Sequence, residues 1–396
     1  MSFSSVDSVV ALPSSARRRW TVRPWLVRAH RWMGLTLAGV LVIAGLTGAI
    51  LAFDDELDAW LNPALFRATS GAILPIDRLI VSVESHDPRA EVARIGFPTP
   101  SRGSVLMTVA ARDPAVSLGY DQVFVDPASG QILGQRDSTG CCLAAPVLVP
   151  FLFRLHYTLG IGPAGERVMG IVALLWCVDC LVALCLTFPR SRPFLGQWRP
   201  AFGIKPTRNS FRLTFDIHRA GGLWCWVCLL AVAVSGVALT LRTEVFQPAV
   251  QAMLPVTPDR DAPPTPPSEA IGFTTALRQA ADVAPGRRPA DAHYLQGAGL
   301  YLVAMAAPER GVWTGLGPDI VWIAARDGSV LRIDSDARRL SGDAVLALQY
   351  PLHSGRIAGL PSRLLVSALG IAVAVLSLTG PWLWWRKRRA ASAVRR

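Results

Sequence analysis

The sequence predicts an α-helical multi-pass membrane protein in which a unit of helix, outside domain and helix occurs twice. Three observations predict this architecture. Four apolar segments each approach the ~20 residues that a helix needs to span a bilayer. Short motifs recur in the same order in both halves of the chain. The 396 residues are 51% hydrophobic, which is typical of a membrane protein with soluble parts.

The four apolar segments predict four transmembrane helices. They cover residues 33–53, 168–188, 221–241 and 364–385. The first is too long for the core of a signal peptide, and no small-x-small cleavage site follows it. We therefore interpret it as a retained span.

The positive charge of the chain is concentrated in three short segments. Residues 1–31, 189–220 and 386–396 together hold 19 Lys and Arg but only two acids, whereas the long segments 54–167 and 242–363 hold more acids than basic residues. Basic short segments mark the cytoplasmic side of a membrane. We therefore expect a bacterial inner-membrane protein with both termini in the cytoplasm. The net charge of +12 is then a topology signal, and no nucleic-acid partner is expected.

These signals divide the chain into nine regions. They are a basic cytoplasmic tail (1–29), a first span (30–53), a first periplasmic domain (54–155), a second span that begins with a histidine (156–188), a basic cytoplasmic loop (189–217), a third span (218–241), a second periplasmic domain (242–352), a fourth span that begins with a histidine (353–385) and a basic tail (386–396).

Both outside domains are predicted to be α+β. The first has strand-like stretches at 94–97 and 104–110 and a hairpin pattern at 121–133, and the proline-interrupted stretch 143–153 is expected to lie along the membrane face. The second follows a proline-rich linker at 255–268, with a helix predicted at 267–281 and strands around 299–305 and 321–323.

The two halves are related by a set of short matches. These are His30-Arg31-x-x-Gly-Leu with His218-Arg219-x-x-Gly-Leu, Thr47-Gly48 with Ser235-Gly236, residues 121–133 with 319–331, Leu155-His156 with Leu352-His353, and Leu-Thr-x-Pro at 186–189 and 378–381. Their shared order predicts a two-fold internal repeat.

Four of the six histidines stand at the starts of the apolar segments. The predicted topology places His30 and His218 at the cytoplasmic face, and His156 and His353 at the periplasmic face. Each face thus receives one histidine from each half. Two imidazoles that face each other in a helix bundle suit axial ligation of a haem iron, so two b-type haems are predicted. The alternatives are polar anchors at the interface, or a zinc site, which usually needs further Cys or carboxylate ligands.

Several other polar residues near the spans are secondary candidates. Arg31, Arg219, Arg154 and Arg356 lie near the histidines in sequence and are candidates to pair haem propionates, with lipid headgroups as the alternative partners. Asp179 lies within the second apolar segment, where an ionisable group is costly. It is interpreted either as a proton carrier or as a hydrogen-bonding group between helices.

The cysteines and the absent motifs narrow the chemistry. The two C-x-x-C spacings within spans are read either as metal or redox sites or as small apolar packing residues, and the role of the adjacent Cys141 and Cys142 is left open. The chain has no dinucleotide-binding glycine motif, no P-loop and no nucleophile elbow. Electrons would therefore come from a separate donor, such as a flavoprotein or a quinol.

Several of these motifs resemble the PepSY-associated transmembrane helix family. The resemblance is carried by the His30 motif, Val125-Asp-Pro-x-x-Gly-x-Ile, Leu155-His156, Phe215-Asp-Ile-His-Arg and Gly-Leu-Trp at 222–224. It covers roughly residues 24–390. It implies that the two periplasmic domains are PepSY-like, although the second has Ala-Ala-Arg-Asp at 324–327 where the first has Val-Asp-Pro-Ala-Ser.

The resemblance also implies a function. Some family members are iron-regulated inner-membrane proteins, including di-haem reductases that act on ferric siderophores. It implies that His30, His156, His218 and His353 ligate two haems and that the protein reduces a ferric siderophore in iron uptake. A non-enzymatic PepSY sensor or regulator anchored in the membrane is the alternative. A permease is disfavoured because only four spans are predicted.

Overall fold

The computed structural model describes residues 22–258, 269–308, 311–336 and 339–394. The predicted basic tail therefore lies outside the described residues up to position 21, as does most of the proline-rich linker. The elements of the first half are α1 (Arg23–Leu51), α2 (Asp54–Leu61), α3 (Pro63–Phe66), α4 (Ile76–His86), β1 (Ala90–Gly96), β2 (Val105–Ala111), β3 (Gln122–Val125), β4 (Ile132–Arg136), α5 (Ala145–Thr158) and α6 (Pro163–Thr187).

The second half follows a short connection. Its elements are α7 (Phe194–Trp198), α8 (Ser210–Thr240), α9 (Gln247–Met253), α10 (Phe273–Val283), β5 (Arg288–Leu295), β6 (Leu300–Ala306), β7 (Asp319–Ala324), β8 (Val330–Asp334), α11 (Ser341–His353) and α12 (Leu360–Val394). Short 3-10 turns lie at 199–202 and 296–298, and a π-helical turn lies at 242–246.

Within the described ranges, α1, α6, α8 and α12 are long and apolar enough to cross a membrane. The four predicted spans are thus confirmed as apolar helices of sufficient length, and the chain is a membrane protein. Each helix begins several residues before its apolar segment, since polar and basic residues continue the helix outside the apolar window. We call the end of the bundle with the 189–209 loop the basic end, and the opposite end the sheet end.

All strands of the described chain belong to one eight-stranded antiparallel sheet with the order β4-β3-β2-β1-β5-β6-β7-β8. The hairpin predicted at 121–133 is present as β3 and β4. The halves meet where β1 pairs with β5, with Arg94 opposite His293 and Gly96 opposite Asp291. Two outside domains were predicted, but the structure joins the two sets of strands edge to edge. An alternation of apolar and polar residues predicts a strand, but it does not predict which strand edges will pair.

A single hydrophobic core runs across both sets of strands. On one face of the sheet, α4 contributes the fully buried Leu79 and Val83, and α10 contributes Ala276 and Ala280. These residues pack against inward-facing strand side chains of both halves. The hydroxyl of Thr274 donates to Asp77 at 2.7 Å and links the two helices. The opposite face of the sheet is directed towards the bundle, as the shared cavity described below shows.

The bundle is held by close backbone approach between α1 and α12. A Cβ atom added at Gly45 would lie 2.6 Å from the carbonyl oxygen of Gly370, so neither position has room for a side chain. The hydroxyl of Ser367 donates to the Ala49 carbonyl at 2.9 Å beside this contact. Small residues at a crossing point are a common way for membrane helices to pack.

The histidines of the sheet end lie on short helices, separate from the spans. Helix α5 ends after His156 at Leu159, Gly160 and Gly162, which all have positive φ, and α6 begins at Pro163. Helix α11 likewise ends at His353, and α12 starts only at Leu360. Left-handed residues end helices, and proline begins them. The expected spans beginning at residues 156 and 353 are therefore each divided into two helices.

The helix α2 connects the bundle to the sheet through ion pairs. The guanidinium of Arg356 binds Asp54 and Asp55 at 2.5 and 3.0 Å. The Asp58 carboxylate is buried against Arg136 of β4 at 2.7 Å. These contacts fix the sheet relative to the segment that carries His353, because Arg356 is only three residues from it.

Candidate functional site

The basic-end pair consists of His30 on α1 and His218 on α8. The centres of the two rings are 6.2 Å apart and their planes are inclined by 55°. The Nδ1 atom of His30 is 2.9 Å from Oδ1 of Asp179 on α6, and Nδ1 of His218 is 2.8 Å from Oγ1 of Thr379 on α12. Each of the four long helices thus contributes one side chain to this site.

The sheet-end pair consists of His156 on α5 and His353 on α11. Their ring centres are 6.0 Å apart and their planes are inclined by 59°. Nδ1 of His156 is 3.0 Å from the hydroxyl of Thr47 on α1, and Nδ1 of His353 is 2.8 Å from the hydroxyl of Ser235 on α8. The short helices supply the rings, and the long helices supply their hydrogen-bond partners.

The hydroxyl partners determine which ring nitrogen carries the proton. Thr47 and Thr379 donate their hydroxyl hydrogens to backbone carbonyls four residues earlier, at 2.6 and 2.8 Å. Ser235 donates to the carbonyl three residues earlier at 2.9 Å. A hydroxyl has one hydrogen, so each oxygen must accept from the imidazole Nδ1–H. The Nε2 atom of each of these rings then keeps a free lone pair, which is the form that ligates a metal.

Burial favours the neutral form of the sheet-end rings. It lowers the pKa of His156, and together with the neighbouring His156 ring it lowers the pKa of His353 to about 4. Gly48 leaves room for one of the rings, because a Cβ atom there would lie 3.0 Å from Cε1 of His156. At the matched Gly236 a Cβ atom would lie 3.8 Å from Cε1 of His353, which is an ordinary contact.

The separation of the rings tests whether a metal fits between them. Metal–imidazole bonds of about 2 Å place the ring centres of two imidazoles on opposite sides of one metal ion roughly 6 Å apart. The observed separations of 6.2 and 6.0 Å match this distance. No cluster of three or more His, Cys, Asp or Glu suited to a metal ion is found in the described ranges. The donor set therefore fits a haem iron, whose porphyrin supplies the remaining nitrogen ligands, better than zinc.

The two pairs are held apart by the same spacing on two helices. His30 and Thr47 are 17 residues apart on α1, and His218 and Ser235 are 17 residues apart on α8. This spacing is a rise of about 25 Å along a helix. The separation of the two pairs along the bundle is thus comparable with the ~30 Å thickness of a hydrocarbon core.

The four candidate arginines have different surroundings. Arg31 is exposed and its guanidinium lies over Trp32, at 5.7 Å from the ring centre. Arg219 is bound to Asp216 at 3.0 Å and to carbonyls of the 200–203 turn, and Arg356 is bound to α2. Arg154 donates Nη2 to the Gly140 carbonyl, while its buried Nη1 has no hydrogen-bond partner among the described residues. Of the four, Arg154 best matches the expected partner of an acidic group.

A cavity of about 680 Å³ lies between the sheet and the sheet end of the bundle. Strand residues Arg94, His293 and Trp322 line one side. Gln349 and Tyr350 line the other, on the helix that carries His353. A cavity this large accommodates a small-molecule ligand. Its lining is aromatic and of mixed charge, with arginines and aspartates such as the paired Arg94 and Asp291, so it suits a polar ligand with rings.

Three of the five cysteines in the spanning helices pack among apolar side chains. Cys180, Cys225 and Cys228 belong to the hydrophobic cluster of the bundle, with Leu37 and Leu229 among their neighbours. This agrees with the packing interpretation. Cys141 and Cys142 lie in the loop before α5, with their side chains next to each other.

The hydroxyl partners of the histidines were not predicted from the sequence. Thr47 and Ser235 were identified as matched positions of the two halves, and Thr379 belongs to the matched Leu-Thr-x-Pro motif. Their role was missed because each contacts its histidine from more than 100 residues away. The available signal was that Thr47 and Ser235 are separated by the same 188 residues as His30 and His218. Asp179 and His30 were each identified as candidates, but the contact between them was not predicted.

Comparison with known proteins identifies the family. None of the curated proteins matches the chain. The family model of the PepSY-associated TM region matches residues 27–387. This match includes all four histidines of the two pairs and nearly the whole chain. The chain therefore belongs to the PepSY-associated transmembrane family.

Proposed function

We propose that this protein is a di-haem electron-transfer protein of a bacterial inner membrane that reduces a ferric siderophore. One observation carries the proposal. Two imidazole pairs, separated along the bundle, each have the ring spacing of a bis-histidine site, and hydrogen bonds at Nδ1 leave Nε2 free. Histidines that merely anchor helices in headgroups have no reason to face one another in pairs.

A haem at each pair would act as a one-electron carrier. The chain itself holds the ligands in place, because Asp179 and the three hydroxyls orient the rings. The repeated 17-residue spacing on α1 and α8 provides two stations across the membrane. The basic segments support assigning the basic end to the cytoplasm.

The cavity lined by Gln349 and Tyr350, on the helix that carries His353, supports a place for the electron acceptor. It opens against the helix that carries this ligand, and Arg94, His293 and Trp322 face it from the sheet. A ferric siderophore bound there would accept one electron, and the ferrous ion would leave its chelator because it is held more weakly. A quinol or flavoprotein at the basic end would supply the electrons. Oxidation of one quinol, with release of two protons, reduces two ferric ions.

The proposal is tested with the detergent-purified protein expressed with ample haem supply. Absorption spectra before and after dithionite, with a pyridine haemochrome count, should show two b-type haems per chain. Addition of a ferric siderophore to the reduced protein should reoxidise the haems, and a ferrous-specific chelator should trap the product. The matched control is His86→Ala, which removes an exposed histidine of α4 outside both pairs and should keep both haems.

Either of two results would overturn the proposal. A colourless protein would remove the electron-transfer function and favour the membrane-anchored PepSY sensor. Two haems that no ferric siderophore reoxidises would retain the electron-transfer function and exclude this class of acceptor.

A further inference from the structure

The four imidazoles have unequal hydrogen-bond partners. Three are bound to hydroxyls, those of Thr47, Ser235 and Thr379. The fourth, His30, is bound to the carboxylate of Asp179 at 2.9 Å. Within the part of the chain that the structure describes, Asp179 is the only acid found in contact with any of the four rings. At the sheet end the two halves supply equivalent partners, the hydroxyls of Thr47 and Ser235. At the basic end they differ, because His30 is bound to a carboxylate and His218 is bound to the hydroxyl of Thr379.

The environment of Asp179 preserves the effect of its charge. Its side chain is only 13% exposed, and its one ion pair among the described residues is with His30. It lies on α6 among apolar side chains, next to Cys180 of the bundle cluster. Water and counter-charges therefore screen it weakly.

A carboxylate partner changes the ligand more than a hydroxyl does. A charge-assisted hydrogen bond is about twice as strong as a neutral one, and a carboxylate on Nδ1–H raises the basicity of the Nε2 atom that binds the metal. A more basic ligand, with a negative charge behind it, stabilises ferric over ferrous iron. The potential of the metal site is thereby lowered.

We propose that Asp179 is a positioning residue that gives the basic-end site a lower midpoint potential than the sheet-end site. This inference rests on the proposed function. The inequality makes transfer from the basic end to the sheet end favourable, so the direction of electron flow is built into one side chain of the bundle. Among the described residues, no comparable charge is bound to the hydroxyl-supported rings at the sheet end.

The test is a potentiometric titration of the purified holoprotein, in which the absorption bands of the reduced haems report the midpoint potential of each component. The native protein should show two components, and His218→Ala, which removes a basic-end ligand, should abolish the lower one. Asp179→Asn keeps an acceptor but removes the charge, and should raise the lower component without moving the upper one. Asp179→Thr copies the second half and should bring the components together. Asp179→Glu should keep the lower component low.

The matched control is Thr379→Val, which removes a partner at the same site without removing a charge and should shift the lower component less than Asp179→Asn. An unchanged lower component in both the Asn and the Thr variants would overturn the inference, as would equal shifts of both components. If Asp179→Asn loses haem, the midpoint potential of the lower component in Asp179→Thr tests the inference instead. Absence of haem from the native protein would contradict the proposed function instead.

Discussion

The two histidine pairs have similar geometry but are built from different parts of the fold. The basic-end rings project from the spanning helices α1 and α8, so the bundle alone positions them. The sheet-end rings project from the short helices α5 and α11, which end before the spans begin. Their position depends on the bundle and also on the contacts that dock the sheet. The geometry of the sheet-end pair is thus coupled to the sheet, whereas the same geometry at the basic end is independent of it.

The largest effect is expected from Gly48→Val. A Cβ atom at this position would lie 3.0 Å from Cε1 of His156, and the valine methyls would displace the ring. We expect loss of the sheet-end haem and retention of the basic-end haem, measured as one haem per chain. Gly39→Val on the same helix is the control, because no atom lies within 4 Å of its added Cβ. Equal haem loss in both variants would contradict the comparison.

The next effect is expected from the buried ion pair between α2 and the sheet. Asp58→Ala leaves Arg136 buried and without its 2.7 Å partner, which should lower the free energy of unfolding by about 3–5 kcal/mol. In thermal unfolding followed by absorption, the sheet-end haem should be released before the basic-end haem.

The control for this variant is Arg89→Ala, which breaks the more exposed pair with Asp87 and should change the stability much less, because solvent screens an exposed ion pair. Simultaneous release of both haems in Asp58→Ala would show that the two sites do not differ in their dependence on the sheet.

The smallest effect is expected from the hydroxyl partners. Thr47→Val removes the acceptor 3.0 Å from Nδ1 of His156 with little change in volume. Loss of such a partner weakens metal binding by about 10–100-fold, so the sheet-end haem should dissociate faster in transfer to apomyoglobin. Thr36→Val, on the same helix but bonded only to its own backbone, should leave the rate unchanged. Equal rates in the two variants would remove the orienting role of Thr47.

The sequence predicted the parts of the fold that follow from local patterns. The four spans, the hairpin at 121–133 and the pairing of matched histidines all depend on hydropathy, turn residues and repetition. Three features were not predictable in this way. The pairing of β1 with β5 could not be predicted because local patterns do not determine which strand edges pair. The hydrogen-bond partners of the Nδ1 atoms could not be predicted because they lie on helices distant in sequence. The separation of α5 from α6 depends on the left-handed conformations of Leu159, Gly160 and Gly162, which hydropathy does not report, although these glycines and Pro163 are signals for a helix end.

The central claim is that each haem is shared by the two halves of the chain, and a haem count in paired histidine variants tests it most directly. His156→Ala and His353→Ala should each leave one haem per chain, and the double variant should also leave one, because both residues hold the same group. Combining His156→Ala with His218→Ala should leave none. A double variant of His156 and His353 that loses both haems, or single variants that keep both, would contradict the claim.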